Sequence, residues 1–164
     1  MAYSASHIAA ILVMRGIEER NYLSQMKLQK VVFFAHGYHL ARYDEPLIVE
    51  NFQAWKFGPV LQSIYHDFKL YGSNPITDTN SLSDPYYRSD FNPKKLSKSA
   101  QDAINYTWEV TKGLTAAQLS NWTHLKGSPW SESYNERDKE IIIRNDLIKN
   151  YFQSKILEHA QGES

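Results

Sequence analysis

The chain has 164 residues, and its 18 lysine and arginine side chains balance 18 aspartate and glutamate side chains. This length suits one domain with a sizeable core. A net charge of zero argues against binding nucleic acid through its phosphates, because proteins that do so carry a basic excess. The absence of cysteine excludes disulfides, thiol nucleophiles and thiolate metal sites, and it suits a cytoplasmic protein. No apolar run is long enough to span a bilayer and no signal peptide is evident, so we expect no membrane association.

The predicted elements are mainly helices that surround one central helix. The central helix covers residues 24–43, with Ser24 as its N-cap and an apolar stripe at helical spacing. Phe33 and Phe34 lie outside that stripe, so the helix is apolar almost all round and must be covered on several sides. Periodicity, caps and helix-breaking residues predict further helices over residues 4–21, 59–72, 92–113, 115–126 and 145–157.

Two stretches favour extended backbone. Pro46 bars a continued helix, and residues 47–57 are rich in aliphatic and aromatic side chains. Residues 140–143 form a second short extended segment. Residues 73–93 lack periodicity and are predicted to form a long loop, and residues 158–164 are expected to fray. The sequence therefore predicts a compact single-domain helical bundle of about six helices over residues 1–164, with its core over about residues 5–155.

Candidate catalytic and metal-binding groups are few. His36 and His39 lie three positions apart on the central helix, as a metal-binding pair would, but the local sequence offers no third ligand. Packed or hydrogen-bonded histidines are the alternative. The adjacent carboxylates Glu18–Glu19 and Asp44–Glu45 indicate a solvated surface, because neighbouring residues on a helix point in different directions. No nucleophile elbow, phosphate-binding glycine loop or dinucleotide motif is present, so the sequence gives no positive case for an enzyme.

Aromatic side chains make up 13% of the chain. Tyrosine and tryptophan are enriched at interface hot spots because they are large, rigid and polar at one end. Trp55, Phe57 and Trp130 are therefore either core residues or anchors that fill a partner's pocket. Lys27 and Lys30 also have two interpretations. Either their charged heads are exposed on buried stems, or they complete the polar rim of a recognition surface.

Several blocks of sequence, in order, resemble the Panacea domain, which is also described as SocA-like and is catalogued from prophages. The resemblance covers about residues 5–155. Its blocks are K-L-Q-K at 27–30 with Phe34-Ala35, E-P-L at 45–47, A-W-K-F-G-P-V at 54–60 with Ile64-Tyr65, then Leu119-Ser120, Thr123-His124, Ser128-Pro129-Trp130, Leu147-Ile148 and Tyr151-Phe152. Phe57 occupies a position where the family often has tyrosine.

The resemblance implies a compact, mainly helical antitoxin domain that neutralises a cognate toxin by direct protein contact. Toxins of the family belong to unrelated classes, and many of them inhibit translation. One relative instead acts as an adaptor that delivers its toxin to a protease. Some members carry an added DNA-binding module, for which we expect no room in this chain outside the matched region.

The site residues that we expect are contacts with a partner protein, and we expect no catalytic residue, metal or cofactor. A small hydrolase with a histidine-centred site is the alternative from a different functional class. The candidate contacts are Lys27, Lys30, Trp55, Phe57, His124 and Trp130.

Overall fold

A central helix organises the computed structural model, which describes residues 2–82, 95–138 and 140–162. The elements in chain order are α1 (Ala5–Glu18), α2 (Gln25–Tyr43), β1 (Gln53–Trp55), β2 (Gly58–Val60), α3 (Gln62–Phe68), a 3₁₀ helix (Lys69–Tyr71), α4 (Lys98–Thr111), α5 (Ala116–Thr123), α6 (Pro129–Ser133) and α7 (Asn145–Gly162). Helix α2 contacts α1, α3, α4, α5, α7 and β2, so it is covered on several sides. The prediction of a mainly helical domain built around this helix is confirmed.

Helix α2 begins at the predicted cap and packs closely against α7. The Ser24 hydroxyl accepts a hydrogen bond from the amide of Lys27 at 3.2 Å. Further along the helix, a Cβ added to Gly37 would lie 2.4 Å from the nearest ring atoms of Phe152 in α7. Glycine therefore allows α7 to approach the central helix more closely than any other residue would permit.

The two predicted extended segments lie side by side. Strands β1 and β2 form an antiparallel hairpin. Beside β1, the amide of Ala54 donates to the carbonyl oxygen of Ile141 at 2.9 Å, and the amide of Ile143 donates to the carbonyl oxygen of Phe52 at 2.8 Å. The segment near residues 140–143 thus supports the hairpin from one side, while β2 packs on α2.

Helix α3 begins later than predicted. Pro59 does not lie in the first turn of a helix but pairs with Ala54 across the hairpin, and α3 starts at Gln62. Gly58 explains the difference, because its φ of +124° is one that other residues rarely adopt, and it turns the chain back along β1. Proline is tolerated in β2 because that strand lies at the edge of the sheet.

Side-chain caps also mark the starts of α4 and α5. The Ser97 hydroxyl accepts from the amide of Ala100 at 3.2 Å, so α4 begins at Lys98. Helix α5 has the predicted capping box, in which the Thr115 hydroxyl and the Gln118 side chain each accept from the other residue's amide. The earlier start predicted for α4, at Asn92-Pro93, lies outside the described residues.

The predicted loop and tail are only partly described. Residues 73–82 form no helix or strand, and Ile76 and Leu82 in them are buried. The rest of the loop predicted over 73–93 lies outside the described residues. Helix α7 continues to Gly162, and fraying of residues 158–164 stays a prediction. No helix in the described part of the chain is both long and apolar enough to cross a membrane.

Candidate functional site

A groove between α2, the β1–β2 hairpin and the residues after α6 brings several of the predicted contact residues together. Its volume is about 710 Å³, which is in the range of pockets that bind ligands or anchor side chains. We call it the hairpin groove. Its lining includes Lys30, Trp55, Phe57, Tyr65, Tyr134 and Glu136.

Phe57 is the most accessible aromatic residue of the hairpin groove. It lies in the turn between β1 and β2, and 63% of it is exposed to solvent. Lys56, its neighbour in the turn, places its Nζ 5.6 Å from the centre of the Phe57 ring. An exposed ring on a paired hairpin, beside an apolar groove, has the placement of an interface anchor.

Trp130 fastens the hairpin to α6. Its indole N–H donates to the carbonyl oxygen of Trp55 at 2.6 Å, and its ring stacks on Tyr134 with centroids 4.7 Å apart. The His124 ring lies 3.9 Å from the Trp130 ring, and its Nε2 lies 3.4 Å from the carbonyl oxygen of Lys56. Trp130 and His124 therefore adjoin the hairpin groove and hold its hairpin wall in position.

Lys30 lies at the inner end of the hairpin groove and is only 2% exposed. Burial lowers the pKa of its ammonium group to about 8, because removal from water disfavours the charged form. Among the described residues, no carboxylate or hydrogen-bond acceptor pairs with Lys30 Nζ. Gly58 leaves room for this amine, since an added Cβ would lie 3.3 Å from Nζ. A buried ammonium without a partner is energetically unfavourable, which makes it a candidate binding group.

Lys27 lies apart from the hairpin groove. Its Nζ donates to the carbonyl oxygen of Lys112, 3.3 Å away, at the end of α4, where helix carbonyls lack partners within the helix. The interpretation that Lys27 and Lys30 expose their heads is wrong, because 8% and 2% of these residues are accessible. Neighbouring elements cover this part of α2. A partner contact at Lys27 stays a prediction, and the structure does not group it with the others.

Gln29 is a residue that the sequence analysis missed. Its Oε1 accepts from the amide of Leu61 at 2.9 Å, and its Nε2 donates to the carbonyl oxygen of Leu61 at 3.0 Å. This pair of bonds holds the junction of β2 and α3 on the central helix. The available signal was a polar amide inside an otherwise apolar helix, where a buried amide must find hydrogen-bond partners.

We expect the substitution Gln29→Met to lower the free energy of unfolding by about 2 kcal/mol, because it leaves the buried amide of Leu61 unpaired and removes one of the two hydrogen bonds that the Leu61 carbonyl accepts. Chemical denaturation measures this change. Gln62→Met is the matched control, since Gln62 is exposed at the start of α3. Equal stabilities of the two variants would contradict the role given to Gln29.

His36 is buried and uses both ring nitrogens. Its Nδ1 accepts from the amide of Ile48 at 3.2 Å, and its Nε2 lies 2.9 Å from Asn145 Oδ1, to which it donates. The ring is therefore neutral, because Nδ1 must stay unprotonated to accept. Burial lowers the pKa of His36 to about 4. His36 joins α2 to the start of α7 and to the chain before the hairpin.

His39 likewise has both ring nitrogens engaged. Its Nδ1 donates to the carbonyl oxygen of Glu45 at 2.5 Å, and its Nε2 accepts from the Ser99 hydroxyl at 2.9 Å. The structure does not turn His36 and His39 towards a shared ligand. In the part of the chain that the structure describes, no group of three or more metal-ligating side chains could hold a metal ion. The hydrogen-bonded alternative is therefore the one that the structure supports for this pair.

We expect the stability of the chain to fall as the pH drops from 6.5 towards 4. An unfolded histidine titrates near 6.5, whereas His36 in the fold titrates near 4. Between these values the unfolded chain binds a proton that the folded chain does not, so acid favours unfolding. Urea titrations at several pH values give the free energy of unfolding as a function of pH. Between pH 6.5 and 4 this free energy should change less steeply with pH in His36→Gln than in the wild type. The exposed His66 provides the control, and a slope lowered equally by His66→Gln would contradict the assignment.

A second groove lies between α2, α4, α5 and α7, with a volume of about 570 Å³. We call it the helical groove. It is lined by Phe34, Tyr106, Val110, Trp122 and Leu125, among others, and the last four of these are 42–48% exposed. None of the six predicted contact residues lines it. The helical groove is the alternative to the hairpin groove as a partner-binding surface.

Comparison with known proteins gives a family match over most of this architecture. The sequence matches the family model described as "Antitoxin SocA-like, Panacea domain" over residues 28–131. The curated protein Antitoxin SocA of Caulobacter vibrioides (strain NA1000 / CB15N) is 30% identical over 110 residues. That alignment covers 66% of this chain and 58% of the relative, so the chain spans less than two thirds of the relative's length. No solved structure matches the chain.

Proposed function

Because this chain belongs to the Antitoxin SocA-like, Panacea domain family, we propose that it is the antitoxin of a toxin–antitoxin pair and neutralises its toxin by direct protein–protein binding. We propose further that the toxin is an inhibitor of translation and that both proteins act in the cytoplasm. The hairpin groove is the proposed contact surface. The family match covers α2 from Leu28 through most of α6, and so spans the central helix and hairpin that form this groove.

The observation that carries this assignment is the arrangement of the hairpin groove. Phe57 stands exposed at its mouth, and an unpaired ammonium of Lys30 lies at its inner end. Protein interfaces place large aromatic anchors and desolvated charges near their centre. A surface of standard size, about 1,600 Å² in total, is enough for a stable complex when a few such anchors are present.

Neutralisation by binding requires no chemistry from the antitoxin. The complex has only to cover the toxin's active site or hold the toxin in an inactive conformation. The alternative was a hydrolase with a histidine-centred site. The environments of the candidate histidines do not favour catalysis. Each nitrogen of His36 and His39 is already hydrogen bonded, and the His124 ring lies against Trp130 and backbone carbonyls.

Co-expression with the product of the adjacent reading frame tests the proposal. We expect the neighbour alone to arrest growth, and we expect the two proteins to restore growth and to copurify as a complex. Toxin abundance distinguishes the mechanisms, because binding leaves the amount of toxin unchanged, whereas an adaptor lowers it in a protease-dependent way. A toxic neighbour that this chain neither binds nor rescues would contradict the proposal.

A further inference from the structure

Lys30 holds a charged group in a buried position, although a compact fold does not require one there. It is almost fully buried, and in the described residues no acidic group neutralises it. Three aromatic side chains, Trp55, Phe57 and Tyr65, line the same groove. A charge held among apolar groups interacts strongly with an opposite charge that reaches it, because little water screens the pair.

We propose that the toxin contributes one aspartate or glutamate side chain, which enters the hairpin groove and pairs with the Lys30 ammonium. This inference rests on the proposed function and identifies the chemistry of the partner's central contact. Apolar side chains beside that carboxylate would pack against Trp55 and Phe57. The acidic residue would therefore lie within an otherwise apolar segment of the toxin.

Charge complementarity favours a single carboxylate over a polyanion. Lys30 and Lys56 are the lysines that line the hairpin groove, and Glu136 lies on the same lining. A phosphate chain or nucleic acid needs several cations along its path, and two lysines do not provide them. One carboxylate neutralises one buried ammonium. A partner can therefore be recognised by whether it places an acidic group next to Lys30.

Selectivity follows from the same arrangement. A protein without an acidic group at this position would cover Lys30 and leave its charge buried and unpaired, which disfavours that complex. The correct toxin replaces the lost water with a direct ion pair. Lys30 thus discriminates between partners, while Phe57 and Trp55 supply apolar contact area.

Calorimetric titration of the full chain with the purified toxin from the adjacent reading frame tests this pairing. Lys30→Met and Lys30→Gln should each weaken binding by about 30-fold or more, as expected for the loss of a desolvated charge pair. The matched control Lys98→Met removes the same charge from an exposed lysine that lines neither groove, and it should change affinity less than about threefold. Circular dichroism of each free variant shows whether it is folded.

A double-mutant cycle then identifies the partner group. Each toxin aspartate and glutamate is replaced by its amide, and each toxin variant is titrated with the wild type and with Lys30→Met. We expect one toxin variant to bind the wild-type chain more weakly than the unaltered toxin does. The same toxin variant and the unaltered toxin should bind Lys30→Met equally, because the effects of two groups in direct contact are not additive. A toxin with an amidated C-terminus is titrated in the same way. If that variant alone showed this coupling, the partner of Lys30 would be the C-terminal carboxylate, and the side-chain assignment would be overturned. Wild-type affinity in both Lys30 variants would overturn the inference and leave the proposed function standing, whereas a wild-type chain that fails to bind its toxin would overturn both.

Discussion

Phe57→Asp is expected to weaken toxin binding by about 100-fold while leaving the free chain folded. The ring is 63% exposed and is not part of the buried core, so its removal creates no core cavity. In the complex the same position would bury a carboxylate against an apolar surface, which is unfavourable. Titration of the purified toxin measures the affinity, and thermal unfolding measures the stability of the free variant.

Val49→Asp provides the matched control for this substitution. Val49 is 65% exposed, so it introduces the same charge at an equally accessible apolar position, but it does not line the hairpin groove. We expect its affinity for the toxin to stay within about threefold of the wild type, as for substitutions outside an interface. If both variants bound the toxin equally well, Phe57 would not be an anchor.

Lys30→Met is expected to raise the free energy of unfolding by about 3 kcal/mol at pH 7, although it weakens toxin binding. The pKa of Lys30 is lowered from 10.5 to about 8 in the fold. Each pKa unit corresponds to about 1.36 kcal/mol, so the folded chain holds this charge at a considerable disadvantage. Methionine keeps the length of the side chain and removes the charge.

The stability difference between Lys30→Met and the wild type should depend on pH. Between about pH 8 and 10.5 the unfolded chain binds a proton at Lys30 that the folded chain releases, so this lysine's unfavourable contribution diminishes as the pH rises. The stability difference between Lys30→Met and the wild type should therefore shrink across this window. Chemical denaturation at pH 7 and pH 10 measures it, with Lys56→Met as the control. A wild type at least as stable as Lys30→Met at pH 7 would show that the buried ammonium is compensated within the free chain.

A residue that destabilises the free fold and strengthens the complex is typical of a functional site. Such a residue is retained because its contribution is realised only when the partner is present. The opposite behaviour is expected of Gln29, whose two bonds to Leu61 serve the free chain. The two neighbours in the K-L-Q-K block therefore have separable roles, one in binding and one in folding.

Local sequence signals predicted most of the helices, although the short helix α6 was not among them. Ser24 caps α2, and Thr115 with Gln118 forms the capping box of α5, because these interactions involve residues only three positions apart. Pro59 misled the prediction, since its preference for a first helical turn was overridden by pairing with Ala54 across the hairpin. Strand pairing of this kind depends on contacts that a local pattern does not encode.

The candidate site could be predicted only in its parts. The resemblance drew attention to Lys30, Trp55 and Phe57, but it gave no reason for them to share one groove. Their proximity depends on how the hairpin packs on α2, and the burial of Lys30 depends on that packing as well. A lysine in an apolar helix pattern is usually exposed at its head, so its burial could not be inferred from spacing.

Hydrogen–deuterium exchange of the chain, free and bound to the toxin from the adjacent reading frame, tests most directly whether neutralisation acts through the hairpin groove. We predict slower exchange in the complex over residues 54–60 and 134–136, with little change over residues 106–110 and 122–125. Protection confined to those last two segments, which line the helical groove, would contradict the hairpin groove as the toxin-binding surface.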